Sequence, residues 1–252
     1  MSTSLPVRRL DLEGTVNFRD LGGYETAEGR RVRWRTVFRS DSLSALSPKD
    51  HALLRALGVR LVCDLRLPGE RRHAPSALPE DCGIERYEPG FIPRGTLDML
   101  DALRAGRLRG EAIIEEVKGH YWHMPRDHAP VFASILQRLA TDDSRPAVIH
   151  CTSGKDRTGF TIALLLLALG VPLDTVFEDY LLTNAYRRDV KNLLNLPIDE
   201  ADMAILTSAR REYLQTAVDS MTDLHGSIDA YLRDAVEVDD GLRMRLREAL
   251  LE

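Results

Sequence analysis

The sequence predicts an α/β fold, with a central and mostly parallel sheet flanked by helices, and three observations carry that expectation. Short apolar runs rich in β-branched residues, "VRLVCDLR" at 59–66 and "PAVIH" at 146–150, alternate with segments of helical period. The 252 residues are 44% hydrophobic, enough to bury one substantial core. Everything beyond Arg157 reads as helix. The expected organisation is a single domain, 1–252, with a helical insertion over about 91–124 and a helical C-terminal part.

Taken in order, "NFRDLGGY" at 17–24 and "RRVRWRTVFRS" at 30–40 read as strands, the first closed by paired glycines and a turn fixed by Asn17 or Asp20. A helix follows, with Ser47 as N-cap, Pro48 at its first position, Asp50 in its first turn and Gly58 beyond its end. After the strands "VRLVCDLR" and "IERYEP" comes a long helical stretch from about Thr96 to Ala140, with a break expected near Pro125. The amphipathic segments "LDMLDALRAGRL" and "EAIIEEVKGHYWHM" interrupt the strand–helix alternation. They would pack on the sheet or serve as a lid over its carboxyl edge. The run Ile162 to Leu169 is expected to be core.

Net charge is −5, with acidic and basic residues interspersed, which excludes a nucleic-acid tail or a polybasic membrane anchor. An anion-binding site must then be local. No apolar run is long enough for stable membrane insertion, and "MSTSLPVRRL" has no signal-peptide core. Three cysteines without a CxxC pair leave an odd thiol, which suits a reducing compartment. A cytoplasmic location is expected, with signal-independent secretion left open.

The stretch "PAVIHCTSGKDRTGF" concentrates the chemistry. A strand ending at His150 and a helix starting near Arg157 leave "CTSGKDR" at the sheet's carboxyl edge, where open α/β folds place ligands. Backbone N–H groups of Thr152, Ser153, Gly154, Lys155 and Asp156, with the helix N-terminus, would make an anion cradle. Arg157 would bind two oxygens of a tetrahedral phosphate, and Cys151 would lie beneath the phosphorus. The same field favours a thiolate, able to attack phosphorus and form a phosphocysteine. Gly154 would permit the tight turn, Thr158 would donate its hydroxyl to the sulfur, and His150 would hold the loop.

Cys-x5-Arg-Thr after a strand resembles the signature of cysteine-dependent protein tyrosine phosphatases. The fuller "HCTSGKDRTG" is similar to the atypical bacterial tyrosine and phosphoinositide phosphatases, of the kind mycobacteria secrete. The segments "NFRDLGG", "FRSDSLSALS", "DLRLPGE" and "DYLLTN" extend the resemblance in order along most of the chain. It is weakest over 91–124 and after about Asn195.

The resemblance implies the tyrosine phosphatase fold, Cys151 as nucleophile and Arg157 as phosphate clamp. Phosphotyrosine in proteins would be the substrate, with phosphoserine, phosphothreonine or phosphoinositides as further ones, and no cofactor. Lys155 would add positive charge beside the cradle, favouring multiply phosphorylated headgroups. A general acid must protonate the leaving oxygen. Asp156 in the cradle ranks first, Asp64 at a neighbouring strand end second, and Asp127 in "PRDHAP" third. The bland readings of the last two are a carboxylate paired with Arg66 and a helix N-cap.

Other patterns carry less. A nucleotide P-loop would require glycine where Ile149 stands and Ser or Thr where Asp156 stands. His120, His123 and His128 lack zincin spacing and read as helix-surface histidines, so no metal is implied. Arg31, Arg33 and Arg35 alternate with Val32 and Trp34, as on the outer face of a strand or a docking strip for anions. Cys63 and Cys82 read as inert thiols. A non-catalytic phosphotyrosine-binding module and a sulfurtransferase are the competing functional readings.

Overall fold

A computed structural model describes residues 7–79, 82–188 and 195–252. The N-terminal residues 1–6, and residues 189–194 of the expected C-terminal helical part, lie outside them. Five strands, β1 (Arg19–Asp20), β2 (Val37–Ser40), β3 (Leu61–Asp64), β4 (Glu85–Tyr87) and β5 (Ala147–His150), assemble in the order β1-β2-β5-β3-β4. β1 is antiparallel to β2, and every other pairing is parallel. The register sets Ser40 and Asp64 on either side of His150, so three polar residues close the carboxyl edge of the three central strands.

Strand periodicity divides the core in two. Phe38, Val62 and Val148 point into a smaller cluster with Phe18, Leu43 and Leu54. Val37, Leu61, Cys63, Ala147 and Ile149 point the other way into the main cluster, which the helices build. On the smaller side lies α1 (Pro48–Ala56), whose Ser47 and Asp50 form the capping box, as the sequence implies. The short α2 (Pro68–His73) follows β3.

The insertion and the residues up to β5 form α3 (Thr96–Arg104), α4 (Glu111–Asp127) and α5 (Ala129–Leu139). The expected break near Pro125 falls instead at His128, and Pro125 lies inside the last turn of α4. The proline that matters is Pro130, in the first turn of α5, where a missing N–H costs nothing. Beyond β5 come α6 (Asp156–Leu169), α7 (Leu173–Leu181), α8 (Glu200–Thr207), α9 (Arg211–His225), α10 (Ile228–Asp234) and α11 (Asp240–Leu250). Along α6 all of Ile162–Leu169 except Leu167 is buried, so the expected core stripe is present.

α4 belongs to the packed body. Its stripe Ile113, Val117, Tyr121 and Met124 is buried, and the Tyr121 ring stacks on Tyr213 of α9 at 5.8 Å. Arg126 Nε donates to Ser220 Oγ at 3.0 Å, which in turn donates to Trp122 O at 2.7 Å.

The strand expected over 30–40 is shorter than its alternation suggested. Val32 bridges Leu251 near the chain's end, and the backbone then reverses at Arg35, at φ 59°. Asp20 fixes that reversal by accepting from Arg35 N at 2.8 Å while also accepting from Gly22 N at 2.8 Å. Arg31, Arg33 and Arg35 are exposed, as an outer face requires.

Candidate active site

The loop Cys151–Lys155 links β5 to α6, whose first residue is Asp156. That helix start, one residue ahead of the expected position, aims its partial positive charge at the loop. Cys151 is buried at the base, 2% exposed, directly after the polar edge made by Ser40, Asp64 and His150. His150 is fully buried, and its Nδ1 lies 3.1 Å from Cys151 O, consistent with a loop-holding part. Burial, outweighing the nearby Asp64 charge, lowers its pKa and keeps the ring neutral.

The loop is held from behind by charges that lie far apart in sequence. Arg39 on β2 donates through Nη2 to Gly154 O at 2.7 Å and through Nη1 to Asp179 Oδ2 at 2.5 Å. Asp179 on α7 also accepts from Tyr24 Oη at 2.9 Å, and its carbonyl accepts from Arg19 at 3.0 Å. Arg19 further donates to the side chain of Asn17, whose Nδ2 reaches Ser153 O at 3.4 Å. Burial pushes Asp179 up, but Arg39 and then Arg19 outweigh it and hold its pKa below the ordinary value. Burial, and then Arg39, bring Arg19 down to about 10. Of the two residues expected to fix the "NFRDLGG" turn, Asp20 does so, whereas Asn17 reaches the loop and Arg19 stands behind it.

Gly154 has φ +69°, and a Cβ there would stand 2.6 Å from Ser40 O and 2.9 Å from Asp41 N. Only glycine permits both that conformation and that approach. Thr152 O accepts from Ser42 N at 3.0 Å, and Ser153 Oγ accepts from Lys155 N at 3.4 Å.

Arg157 lies across the front of the loop, its side chain 12% exposed. Glu70, in the first turn of α2, takes Nη1 on Oε2 and Nη2 on Oε1, both at 2.7 Å. Arg157 Nη1 also donates to Leu65 O at 3.1 Å and Phe91 O at 3.2 Å, and Thr152 Oγ1 donates to Glu70 Oε1 at 2.6 Å. Burial works against the guanidinium charge, but the Glu70 hydrogen bonds, and then the Cys151 charge, outweigh it and raise the pKa. Burial likewise opposes charge on Glu70, yet Arg157 holds that carboxylate at about 2.

Three expected placements are corrected. Lys155 is neither exposed nor turned to the front of the cradle: it is 4% exposed, and its Nζ donates to Leu206 O at 2.7 Å and Ser208 O at 3.3 Å. The end of α8 offers orphan carbonyls, which capture the ammonium. The Thr158 hydroxyl is buried with no hydrogen-bond partner among the described residues, so it does not bond the Cys151 sulfur. Asp127 ends α4 rather than capping a helix, and binds Arg94 Nε and Nη2 at 2.9 and 2.8 Å.

Of the other acid candidates, Asp64 accepts from Arg66 Nε at 2.9 Å and Nη2 at 2.7 Å. Burial raises its pKa, but the Arg66 hydrogen bonds and the Arg66 charge outweigh that and lower it. Asp156 takes the Tyr121 hydroxyl on Oδ1 at 2.9 Å. His120 is 7% exposed, so it is not the surface histidine expected, and His128 Nε2 lies 3.1 Å from Ile92 O. No group of three or more His, Cys, Asp or Glu among the described residues is placed to hold a metal. All three cysteines are free, and burial pushes the Cys63 thiol up.

Glu70, Arg39, Asp179 and Tyr121 are the site's residues that motif reading missed. Glu70 and Asp179 lie inside the segments "DLRLPGE" and "DYLLTN". The available signal was a carboxylate shortly after a central strand end, facing a lone arginine across the sheet edge.

The model of the tyrosine phosphatase family matches residues 10–252. A protein of Cupriavidus necator named as a putative tyrosine-protein phosphatase is 34% identical over 235 residues, covering 88% of this chain and 82% of the relative. The triple specificity protein phosphatase PtpB of Mycobacterium tuberculosis is 29% identical, covering 89% of this chain and 93% of its own length. Among solved structures, P. aeruginosa TpbA is 18% identical with a TM-score of 0.38, over 86% of this chain and 89% of that one. With the match running from residue 10 to residue 252 and the Cys-x5-Arg loop intact within it, this chain belongs to the tyrosine phosphatase family.

Proposed function

We propose that this phosphatase hydrolyses phosphomonoesters through a phosphocysteine on Cys151, with Arg157 binding the phosphoryl oxygens and Asp156 as general acid. The observation that carries the reading is Cys151 at the base of the loop with the Arg157 guanidinium held across its front by Glu70. In the first step sulfur bonds phosphorus, the ester P–O bond breaks, and Asp156 gives its proton to the leaving oxygen. In the second, water attacks the phosphocysteine, gives a proton to Asp156, and sulfur departs as thiolate. Stabilisation of the equatorial oxygens by loop amides and Arg157 dominates the rate, with the acid adding about 10²–10⁴-fold.

Asp156 is favoured over the other two carboxylates by pairing. Asp64 and Asp127 each bind an arginine through two nitrogens, whereas Asp156 meets a neutral phenol at 2.9 Å and the Lys155 ammonium only at 3.4 Å, both on Oδ1, and keeps Oδ2 without a protein partner among the described residues. Thr152, Ser153, Gly154, Lys155 and Asp156 contribute backbone amides to the cradle, and His150 holds it. The Lys155 ammonium contributes structure rather than charge to the front of the cradle, which removes the sequence argument for multiply phosphorylated lipids. Phosphotyrosine in proteins is the primary substrate; the name of the M. tuberculosis relative supports wider specificity as a second reading. The free thiols favour a reducing compartment, hence the cytoplasm. Among the described residues no helix is long and apolar enough to cross a membrane.

Cys151→Ser is expected to abolish p-nitrophenyl phosphate turnover while retaining binding of a phosphate analogue. Wild-type hydrolysis by that variant would end the mechanism. A panel of phosphotyrosine, phosphothreonine and phosphoinositide substrates on one preparation sets the specificity. Hydrolysis of peptide alone would restrict the enzyme to protein substrates.

A further inference from the structure

We propose that Tyr121, with Tyr180 behind it and Lys155 beside it, is a positioning residue that confines the acidic proton of Asp156 to Oδ2. The proposal rests on the reading of Asp156 as general acid. Tyr121 from α4 and Lys155 from the cradle meet at one carboxylate oxygen, Asp156 Oδ1, and Tyr180 from α7 stands one hydrogen bond behind Tyr121.

Counting protons gives the chain its direction. Tyr121 Oη lies 2.9 Å from Asp156 Oδ1 and 2.8 Å from Tyr180 Oη. A phenol has one proton to donate. With Tyr121 donating to Asp156, Tyr180 donates to Tyr121 and the chain runs towards Oδ1; the reverse chain would need a proton on Oδ1, the oxygen that faces the Lys155 ammonium. Lys155 Nζ, which can only donate, lies 3.4 Å from the same Oδ1. With every neighbour of Oδ1 a donor, that oxygen serves as acceptor, and a proton on the carboxyl group has to sit on Oδ2. Oδ2 has no protein partner among the described residues, and the side chain is one-third exposed.

Both phenols stay neutral: burial first, and the Asp156 charge next, raise Tyr121 and Tyr180 well above the ordinary phenol range. The charged and titratable groups facing Asp156 are Lys155 and Arg157 beside it, His120 and Tyr121 from α4, Tyr180 from α7 and Tyr213 from α9. Burial lowers the His120 pKa, so it presents a neutral ring. The Tyr121 ring is wedged between Tyr213 and Tyr180, with centroids at 5.8 and 6.1 Å, so Tyr121→Phe removes the donor and keeps the packing.

The test compares wild type, Tyr121→Phe, Asp156→Asn and the double variant on aryl phosphates, from 2,4-dinitrophenyl to phenyl phosphate. A strongly acidic leaving phenol departs unprotonated, whereas phenol itself needs the acid. Tyr121→Phe is expected to lower kcat/KM about tenfold on phenyl phosphate, the scale of one hydrogen bond to an ionisable group, and to leave the dinitrophenyl ester near wild type. In the Asp156→Asn background it is expected to change neither. Tyr180→Phe is expected to repeat the pattern at smaller amplitude, with both single variants keeping the wild-type unfolding midpoint. Equal losses on every leaving group, or losses that multiply in the double variant, would overturn the proposal. An Asp156→Asn variant equally impaired on all esters would instead overturn the acid assignment beneath it.

Discussion

Glu70 holds both terminal nitrogens of Arg157, Oε1 to Nη2 and Oε2 to Nη1, each at 2.7 Å. The pair is planar recognition of the kind that fixes a guanidinium in rotation as well as position. Glu70→Gln keeps the shape and loses the charge. Its kcat on p-nitrophenyl phosphate is expected to fall about 10- to 100-fold, the scale of one charge-assisted hydrogen bond lost from a group that must meet the transition state. Unchanged kcat with an unchanged inhibition constant for phosphate would show that the arginine needs no such partner.

The same pair sets an acid limit on stability. Glu70 sits at about 2 in the folded chain against 4.5 for the free group, so folding releases its proton. Its contribution is present above about 4.5 and is lost as pH falls towards about 2. Urea titrations at about pH 6, 4 and 3 are expected to show declining stability, with a shallower decline in Glu70→Gln. Parallel pH dependences would assign the loss to other carboxylates.

Gly154 leaves no room for a side chain, with a Cβ falling 2.6 Å from Ser40 O in a left-handed conformation. Gly154→Ala forces either the loop or β2 to shift, at about 1–2 kcal/mol for the backbone conformation alone. Activity is expected to fall by about 100-fold, more than the stability change implies, because the displaced atoms belong to the cradle. Equilibrium unfolding beside kcat/KM separates the two effects.

Among the described residues, Asp179 is the single carboxylate paired with Arg19 and Arg39, both fully buried. Asp179→Asn leaves two guanidinium groups without a counter-charge and is expected to cost about 3–5 kcal/mol in urea unfolding. Loss of the Arg39 bond to Gly154 O should also depress turnover in whatever fraction folds. A variant with wild-type stability would mean that water compensates the arginines.

Much of the fold was legible because it is written in local periods. The strand cores at 61–64 and 147–150, the capping box of α1 and the buried run of α6 follow from alternation, a cap and a continuous apolar stretch. Expectation and structure part where a distant segment decides the outcome. Residues 30–36 look like strand but pair with the chain's end and are turned by Asp20, and Pro125 looks like a helix break but is carried inside α4.

The nucleophile loop can be read from the chain alone: a cysteine, a glycine that must turn and an arginine lie within seven contiguous residues, and a strand before them and a helix after them suffice to place them. The destinations of the other charges are set by packing at long range. Glu70 reaches Arg157 across 87 residues, Arg39 reaches Gly154 O across 115, and Lys155 turns to the end of α8, 51 residues on. A buried charge must find a partner once water is removed, and which partner is near depends on how every element of the chain comes to rest against the others.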